Sequence, residues 1–315
     1  MNVLVTGANG FVGSWLLRGL VASGHDVVAA AGRESPAAIL TDEDRARVRW
    51  VPLDLEDPVS VASCAAEARD AVVHLAGIAS VADSLGDPLR TWRVNALGTE
   101  RLLEELAGRR RREGADPVVL VVSTAEVYGC GAPGLRTEAD QVAPLSPYAA
   151  SKAAGEVAAL EVWRRTGLRV VVARPFPHTG PGQSTRFVVP AFVERIGAAG
   201  RAGTHGVKTG NLDPVRDLLD VRDVAGAYLA LLERGLPGEI YNIAGGQGYR
   251  LGALFERIAA LAGHQVRPEP DAALARAVDI PHLVGDAAKL RAATGWSPRF
   301  SLDQTLQQML DAETD

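Results

Sequence analysis

The chain opens with a short apolar run that leads into three regularly spaced glycines. Residues 3–5 are Val-Leu-Val, and Gly7, Gly10 and Gly13 follow at Gly-x-x-Gly-x-x-Gly spacing before an amphipathic stretch begins at Ser14. Glycine lacks a Cβ atom, so these positions allow a sharp turn and a close approach of bare backbone. The sequence therefore predicts a strand, a tight turn and a helix whose free N–H groups bind phosphate.

The first 175 residues continue this alternation. Short runs rich in valine and leucine alternate with helical patterns, which predicts a parallel sheet covered by helices on both faces. The predicted class is α/β, a Rossmann-type doubly wound parallel sheet. The predicted strands are Val3–Thr6, Asp26–Ala30, Arg49–Pro52, Ala71–Leu75, Val118–Val122 and Arg169–Ala173, and the predicted helices are Ser14–Ser23, Val59–Ala65, Leu89–Gly108 and Pro147–Thr166.

Beyond residue 174, glycine and proline become more frequent and the alternation is less regular. We predict a dinucleotide-binding domain over residues 1–174, to which residues 213–236 return, and a smaller mixed α/β substrate-binding lobe over residues 175–315. The predicted elements here are one strand, Glu239–Ile243, and the helices Val188–Ala198, Val221–Arg234, Leu251–Ala262 and Asp303–Ala312.

Composition and charge argue against several functional classes. The chain has 315 residues, of which 47% are hydrophobic, and its net charge of −5 does not suit nucleic acid or an anionic membrane. No apolar run approaches the roughly 20 residues of a membrane span. We interpret the basic run at 109–112 as a solvated helix end. Cys64 and Cys130 show no metal-ligand spacing, so we expect no metal, and a cytoplasmic setting without a targeting peptide.

Tyr148 and Lys152 lie four residues apart in a predicted helix, so both project from the same face. A fixed positive charge favours the phenolate and lowers the tyrosine pKa from its usual value of about 10. The pair is therefore a candidate proton donor, although an exposed helix pair has the same spacing. His74 lies within an apolar run and is interpreted as a structural strand residue.

Several motifs follow directly after predicted strands, at the sheet edge where such folds bind ligands. They are the glycine turn, Asp54, Ala76-Gly77, Ser123-Thr124 and Arg174-Pro175. A carboxylate at the end of the second strand would hold a ribose 2′-OH, but Ala31 lies there and Arg33 nearby suits a 2′-phosphate. NADP(H) is therefore favoured, and NAD(H) stays possible. Asp54 suits an acceptor for the adenine amino group, or a simple turn.

With these motifs in order, the chain resembles the extended short-chain dehydrogenase/reductase family, whose members act on nucleotide-activated sugars. The resemblance runs nearly end to end and includes Leu75-Ala76-Gly77, Asn95 and the Tyr148-x-x-x-Lys152 pair. Later stretches resemble the branch that handles GDP-linked 6-deoxy-hexoses, especially the GDP-4-keto-6-deoxymannose reductases. They are residues 174–183, 187–190, 210–217, 220–224, 241–243, 248–250 and 294–298.

The resemblance implies roles for particular residues. Tyr148 is implied as acid/base, Lys152 as the ribose ligand that tunes it, Thr124 as a hydrogen-bonding partner of the sugar oxygen at C4, and Glu126 as a further catalytic candidate. The implied cofactor contacts are Gly7, Asn9, Gly10, Phe11, Val12, Gly13, Arg33, Asp54, Leu55, Leu75, Ala76, Gly77, Asn95, Tyr148, Lys152 and Arg174.

The implied substrate contacts lie mostly in the second half of the chain. Arg216 is the strongest candidate for the diphosphate, because guanidinium binds phosphate bidentately. Pro177 departs from the asparagine usual in this branch, and proline offers neither a side-chain donor nor an N–H. The full set is Thr124, Pro177, His178, Val188, Arg216, Arg250, Arg276 and Asp279.

The favoured function is NADP(H)-dependent reduction of the 4-keto group of a nucleotide-activated 6-deoxy-hexose, with GDP-4-keto-6-deoxy-mannose as the best candidate. A 4,6-dehydratase of the GDP-mannose type stays open, because Thr124-Ala125-Glu126 has the Thr-x-Glu spacing of such enzymes. A 4-epimerase would use the same Tyr–Lys pair, whereas an NADP-binding sensor or scaffold would not need it. Family members pair through helices that match 89–108 and 147–166, so the resemblance implies a homodimer with a four-helix bundle.

Overall fold

The computed structural model describes residues 1–32, 40–131, 134–274 and 279–314. Its strands, in chain order, are β1 (Asn2–Thr6), β2 (Asp26–Ala31), β3 (Val48–Pro52), β4 (Ala71–His74), β5 (Val118–Val122), β6 (Arg169–Pro175), β7 (His178–Thr179), β8 (Gly206–Thr209), β9 (Val215–Asp217), β10 (Leu219–Asp220), β11 (Ile240–Ile243), β12 (Gly248–Arg250), β13 (Arg267–Pro270) and β14 (His282–Leu283).

The α-helices flank and connect these strands. They are α1 (Phe11–Ala22), α2 (Asp42–Ala46), α3 (Pro58–Ala65), α4 (Val81–Gly86), α5 (Pro88–Trp92), α6 (Gly98–Glu113), α7 (Pro147–Thr166), α8 (Val188–Ala202), α9 (Val221–Arg234), α10 (Leu251–Leu261), α11 (Ala288–Thr294) and α12 (Leu302–Thr314). Within the described ranges, no helix is both long enough and apolar enough to cross a membrane.

The central sheet has seven parallel strands in the order β11-β6-β5-β4-β1-β2-β3. Strand order reverses between β1 and β4, which is the place where doubly wound folds bind ligands. The side chains of β1 alternate between the two faces: Val3 and Val5 join the core beneath α1 and α9, and Leu4 joins the core beneath α3, α6 and α7. Helices thus cover both faces, and the predicted fold class is confirmed.

The chain returns to this sheet after building part of the second lobe. Helix α9 packs against α1, and β11 pairs in parallel with β6, so the returning segment runs from residue 221 to residue 243. The sequence placed this return at 213–236. Residues 215–217 instead form β9, which lies between β12 and β14 in a small separate sheet.

The remaining residues form the smaller lobe over the carboxyl ends of the main strands. Helices α8, α10 and α12 enclose a third core in which the rings of Phe192 and Phe255 meet edge to face, 5.5 Å apart. The carboxylate of Asp217 accepts N–H bonds from Gly245, Gly246 and Gly285 at 2.8–3.3 Å. This one side chain therefore ties β9 to two neighbouring loops.

The helix predicted at 89–108 is longer and less regular than expected. A π-helical segment, Arg93–Leu97, joins α5 to α6, and α6 ends at Gly114, whose φ of +71° suits glycine. Arg110, Arg111 and Arg112 of the basic run lie in the last turn of α6, at the predicted helix end. Arg109 is nevertheless buried, because its guanidinium bonds the carbonyls of Ala65 and Ala68.

Candidate active site

The predicted glycine turn forms a tight cradle at the end of β1. Gly7 has φ +68°, and a Cβ atom there would lie 2.6 Å from the backbone nitrogen of Ala76. A Cβ atom on Gly13 would lie 2.4 Å from the carbonyl oxygen of Gly7. Neither position has room for a side chain, because both contacts are with backbone.

The start of α1 presents its N–H groups in this cradle. Its N-cap is Gly10, which has no side chain to bond those groups, and its first residue is Phe11. Unpaired N–H groups and the helix dipole together attract an anion. The cradle therefore fits the phosphates of a dinucleotide, and the roles of Asn9, Val12 and the glycines as cofactor contacts stay predictions.

A buried chain of hydrogen bonds joins β1 to β4 beside the cradle. Thr6 Oγ1 lies 2.8 Å from His74 Nδ1, and His74 Nε2 lies 3.0 Å from Thr99 Oγ1. Burial, together with the charge of Lys152, lowers the pKa of His74 to about 3. His74 is thus a neutral structural residue, as predicted. The same Thr6 hydroxyl accepts the N–H of Ala76 at 3.2 Å.

The loop after β4 is held by the amide of Asn95. Its Oδ1 accepts the Ile78 N–H at 2.8 Å, and its Nδ2 donates to the Ile78 carbonyl and to Ser151 Oγ, both at 3.0 Å. This loop contains the predicted cofactor residues Leu75, Ala76 and Gly77. Asn95 therefore shapes the loop through contacts within the protein, which differs from the direct cofactor contact that the sequence predicted.

Gly77 lies next to the catalytic candidates. A Cβ atom on this residue would lie 3.9 Å from Lys152 Nζ and 2.8 Å from Asn95 Oδ1. Glycine thus leaves space beside the lysine. The loop after β4 and the start of α7, distant in sequence, meet at the same sheet edge.

Thr124, Tyr148 and Lys152 come together at the carboxyl end of β5. Thr124 follows the strand and is the N-cap of a short 3₁₀ turn, accepting the Glu126 N–H at 3.2 Å. Ser146 caps α7 and so fixes Tyr148 in its first turn, where the tyrosine hydroxyl is hydrogen-bonded to the Thr124 side chain. One turn later, Lys152 Nζ donates to the Val122 carbonyl at 2.6 Å.

The protonation preferences of this pair differ from the expectation. Burial raises the pKa of the Tyr148 phenol, the charge of Glu126 raises it further, and the hydrogen bond with Thr124 opposes both effects. The prediction of a lowered tyrosine pKa was therefore wrong for the protein alone, because desolvation and the charge of Glu126 outweigh the hydrogen bond with Thr124. Burial lowers the pKa of Lys152 to about 8, and the charge of Glu156 opposes this shift.

Arg174 lies in a buried polar network behind these residues. Its guanidinium binds both carboxylate oxygens of Glu156, at 2.9 and 2.6 Å, and donates to the Tyr128 hydroxyl at 3.0 Å. Tyr128 in turn donates to Asn242 Oδ1 at 2.7 Å. The Arg174 side chain is thus engaged in the protein interior, and its cofactor contact stays a prediction.

Two cavities lie between the lobes and share the side chains of Arg216 and Asp279. The first begins beside Glu126, and the second, larger one extends toward α8. The first is lined by Val81, Glu126, Leu145, Ser146, Ala149, Arg216, Asp279, Ile280 and Leu283. Val188 lines the second, together with Phe187, Phe192, Arg195, Asn211 and others.

Arg216 is held at this junction by the second lobe. Its Nη1 donates to the Ile280 carbonyl at 2.6 Å, and its Nη2 donates to Asp279 Oδ1 at 2.7 Å. The guanidinium is mostly buried and lines both cavities, where it suits a diphosphate. Arg250 instead pairs with Asp213 at the exposed surface and lines neither cavity, and Arg276 lies outside the described residues.

His178 and Pro177 lie beside the cradle. The His178 ring stacks on Phe11, with centroids 6.3 Å apart and planes 6° apart, and its Nδ1 lies 2.9 Å from the Phe176 carbonyl. Burial lowers the pKa of His178, so the ring is neutral. The Pro177 carbonyl accepts the N–H of Leu219, which joins β7 to β10.

Of the three residues predicted to contact the adenosine end of the cofactor, the structure describes Asp54 and Leu55. Asp54 accepts the Glu56 N–H at 2.8 Å in a tight turn, so the simple-turn alternative describes its structure. Leu55 is buried in the core beneath α3 and α6. Arg33 lies outside the residues that the structure describes.

The sequence did not reveal several residues of the site. Val81, Leu145 and Leu283 form apolar walls of the first cavity, and only the position of Leu145 just before the Ser146–Tyr148 stretch hinted at this. Glu156 could have been found from its spacing, because it lies one helical turn beyond Lys152.

Comparison with known proteins agrees with this geometry. A family model described as GDP-mannose 4,6 dehydratase matches residues 4–309. The chain is 35% identical to the GDP-6-deoxy-D-mannose reductase of Pseudomonas aeruginosa, covering 98% of this chain and 96% of that protein. It is 33% identical to the dTDP-glucose 4,6-dehydratase of Streptomyces niveus, over 99% of this chain and 92% of that protein. The structure of RMD from Pseudomonas aeruginosa complexed with NADPH is similar, with a TM-score of 0.84 and 34% identity, covering 99% and 98% of the two chains.

Proposed function

Because the chain belongs to the GDP-mannose 4,6-dehydratase family of extended short-chain dehydrogenases/reductases, and is thus an NAD(P)-dependent enzyme acting on nucleotide sugars, we propose that it reduces a 4-keto-6-deoxy-hexose carried on a nucleotide. The best candidate substrate is GDP-4-keto-6-deoxy-mannose, and the product is GDP-rhamnose or its C4 epimer. The similarity to GDP-6-deoxy-D-mannose reductase over nearly the whole chain supports this choice of branch.

The observation that carries the proposal is a cavity lined by both Glu126 and Arg216. Glu126 donates its N–H to Thr124, and its charge acts on the Tyr148 phenol, so the cavity leads from Arg216 toward these two hydroxyls. A sugar whose diphosphate binds Arg216 reaches back toward Glu126 and the two hydroxyls. Bound NADPH supplies the hydride for the ketone carbon. Tyr148 protonates the developing alkoxide, Thr124 stabilises it by hydrogen bonding, and Lys152 places a positive charge nearby.

The lining of the first cavity supports a deoxy sugar. Five of its lining residues are apolar, including Val81, Leu145 and Leu283. An apolar wall accepts a methyl group at C5 and leaves a hydroxyl there without a partner. This favours the reductase over a 4,6-dehydratase, whose substrate carries a C6 hydroxyl. One observation supports the second candidate function, a 4,6-dehydratase: the carboxylate of Glu126 lines the same cavity.

NADP(H) is the proposed cofactor. Strand β2 ends at Ala31, and Gly32 follows, so no carboxylate at this point repels a ribose 2′-phosphate. The NADPH complex of the similar Pseudomonas protein supports the same choice. We also propose a cytoplasmic homodimer, supported by two free cysteines and by an exposed apolar patch on α5, α7 and the π-helical segment.

The test is to mix the enzyme with NADPH and GDP-4-keto-6-deoxy-mannose and to follow the loss of reduced-nicotinamide absorbance. We expect rapid NADPH consumption, slower consumption of NADH, and a 6-deoxy product. A parallel reaction with GDP-mannose and NADP⁺ measures dehydration. Dehydration of GDP-mannose without any reduction of a 4-keto sugar would assign the second candidate function.

A further inference from the structure

Lys152 lies in buried surroundings that disfavour its positive charge. Its ammonium group is partly buried and donates to a neutral carbonyl, that of Val122. Burial favours the neutral amine, which lacks the positive charge that the proposed mechanism places near Tyr148. Some nearby group must therefore offset the cost of desolvation if the lysine is to remain charged near neutral pH.

The groups around the ammonium on its neighbouring elements leave one candidate. His74 on β4 is neutral, Asn95 and Gly77 carry no charge, and Tyr148 is a protonated phenol. Glu126 lies beside the tyrosine and acts on its phenol. Among the residues that the structure describes, Glu156, one turn further along α7, is the charged neighbour that raises the pKa of Lys152.

We propose that Glu156 is a positioning residue that keeps Lys152 protonated, and that Arg174 holds the Glu156 side chain at that place. The side chain of Glu156 is only 5% exposed, and that of Arg174 is 3% exposed. A buried carboxylate needs a close, hydrogen-bonded partner, and the bidentate contact with Arg174 provides it. The inference rests on the proposed function only for its effect on turnover.

Glu156 and Arg174 approach the region of Lys152 from different elements, so their opposite charges do not simply cancel at the lysine. Glu156 lies on the same helix face as Lys152, whereas Arg174 approaches from β6 and also binds Tyr128. The charge of Glu156 raises the pKa of Lys152 against the effect of burial. Glu156 therefore favours the charged form of the ammonium.

The composition of the chain makes a direct test practicable. It contains only three lysines, Lys152, Lys208 and Lys289. Competitive acetylation by acetic anhydride across a range of pH, followed by peptide mass spectrometry, measures the titration midpoint of each amine. It needs neither substrate nor turnover, so it remains informative even if no 4-keto sugar is reduced. Lys208 and Lys289 serve as internal references.

We expect Lys152 to titrate near pH 8 in the unmodified protein. Glu156→Gln should lower this midpoint by about one unit or more, because the neighbouring opposite charge is lost. The double variant Glu156→Gln/Arg174→Gln, which leaves no unpaired buried charge, should lower it less. Glu156→Asp should retain the original midpoint, as should the matched control Glu161→Gln further along α7.

In the active enzyme, the alkaline limb of the kcat/KM profile should move with the Lys152 midpoint in each variant. A folded double variant whose Lys152 midpoint equals that of the unmodified protein would overturn the proposal, since the pair would then be purely structural. The proposal would also be overturned if Glu156→Asp lowered the titration midpoint of Lys152 as much as Glu156→Gln does. Circular dichroism and thermal unfolding establish which variants are folded.

Discussion

At the scale of single residues, Tyr148 combines two properties that suit a proton donor. Burial and the charge of Glu126 raise the pKa of its phenol, so the hydroxyl holds its proton until an alkoxide forms beside it. The hydrogen bond with Thr124 fixes the direction of that hydroxyl. Reduction requires the protonated tyrosine, and the structure favours that form.

Replacing Tyr148 by phenylalanine should lower kcat for NADPH-dependent reduction by about 10²- to 10⁴-fold, because the general acid is lost. The binding of NADPH, followed by its fluorescence, should change little, since the ring remains. Tyr241→Phe is a matched control: it removes a buried hydroxyl that accepts the Leu236 N–H, so it costs about 1 kcal/mol of stability and leaves kcat unchanged. Retained turnover in Tyr148→Phe would remove this residue from the reaction.

Some residues of the site could be predicted from sequence, and others could not. Tyr148, Lys152 and the glycines occupy fixed spacings in local structure, so the pattern alone places them. The ion pair of Arg174 with Glu156 was not predicted, because the two residues lie on different elements and burial of an ion pair leaves no local signal. The direction of the Tyr148 pKa was wrong for the same reason, since desolvation depends on the whole fold.

At the scale of secondary-structure elements, the turn between β1 and α1 tolerates no added atom. Gly13 packs the first turn of the helix against the Gly7 carbonyl, and Gly7 packs against the loop after β4. The turn thus fixes the angle at which α1 meets the sheet edge. Its location and spacing follow from the sequence, because only glycine suits such contacts.

Gly13→Ala should destabilise the protein by about 1–3 kcal/mol and weaken NADPH binding, because backbone atoms must move to admit the methyl group. Thermal unfolding and a binding titration measure the two effects. The matched control is Gly19→Ala in the same helix, where the added atom lies 3.8 Å from Leu229 Cδ1, an ordinary contact. We expect that control to be neutral or slightly stabilising. Equal behaviour of the two variants would contradict the proposed packing.

At the scale of the whole molecule, α5, α7 and the π-helical segment carry several large apolar side chains that are exposed to solvent. Leu89 on α5 is 73% exposed and Val157 on α7 is 68% exposed, with Trp92 and Leu97 between them in the chain. Helices α5 and α7 and the π-helical segment pack side by side, so these side chains share a region of the surface. A second copy would bury this patch.

We therefore expect the protein to be a dimer by light scattering, and Val157→Glu to convert it to a monomer, because a buried unpaired carboxylate is costly. Val59→Glu is the control, since Val59 on α3 is 72% exposed and lies outside the patch. It should leave the dimer unchanged. A monomeric unmodified protein, or a dimer that persists in Val157→Glu, would contradict this interface.

The late return of the chain to its sheet has a consequence for biosynthesis. Strand β6 is complete at Pro175, but its neighbour β11 begins only at Ile240, after much of the second lobe. At typical translation rates the ribosome needs roughly 3 to 13 seconds to make the intervening stretch. During that interval the growing chain exposes an unpaired parallel edge, the kind of surface to which other chains add strands. Chaperone protection of the nascent chain matters most in that interval.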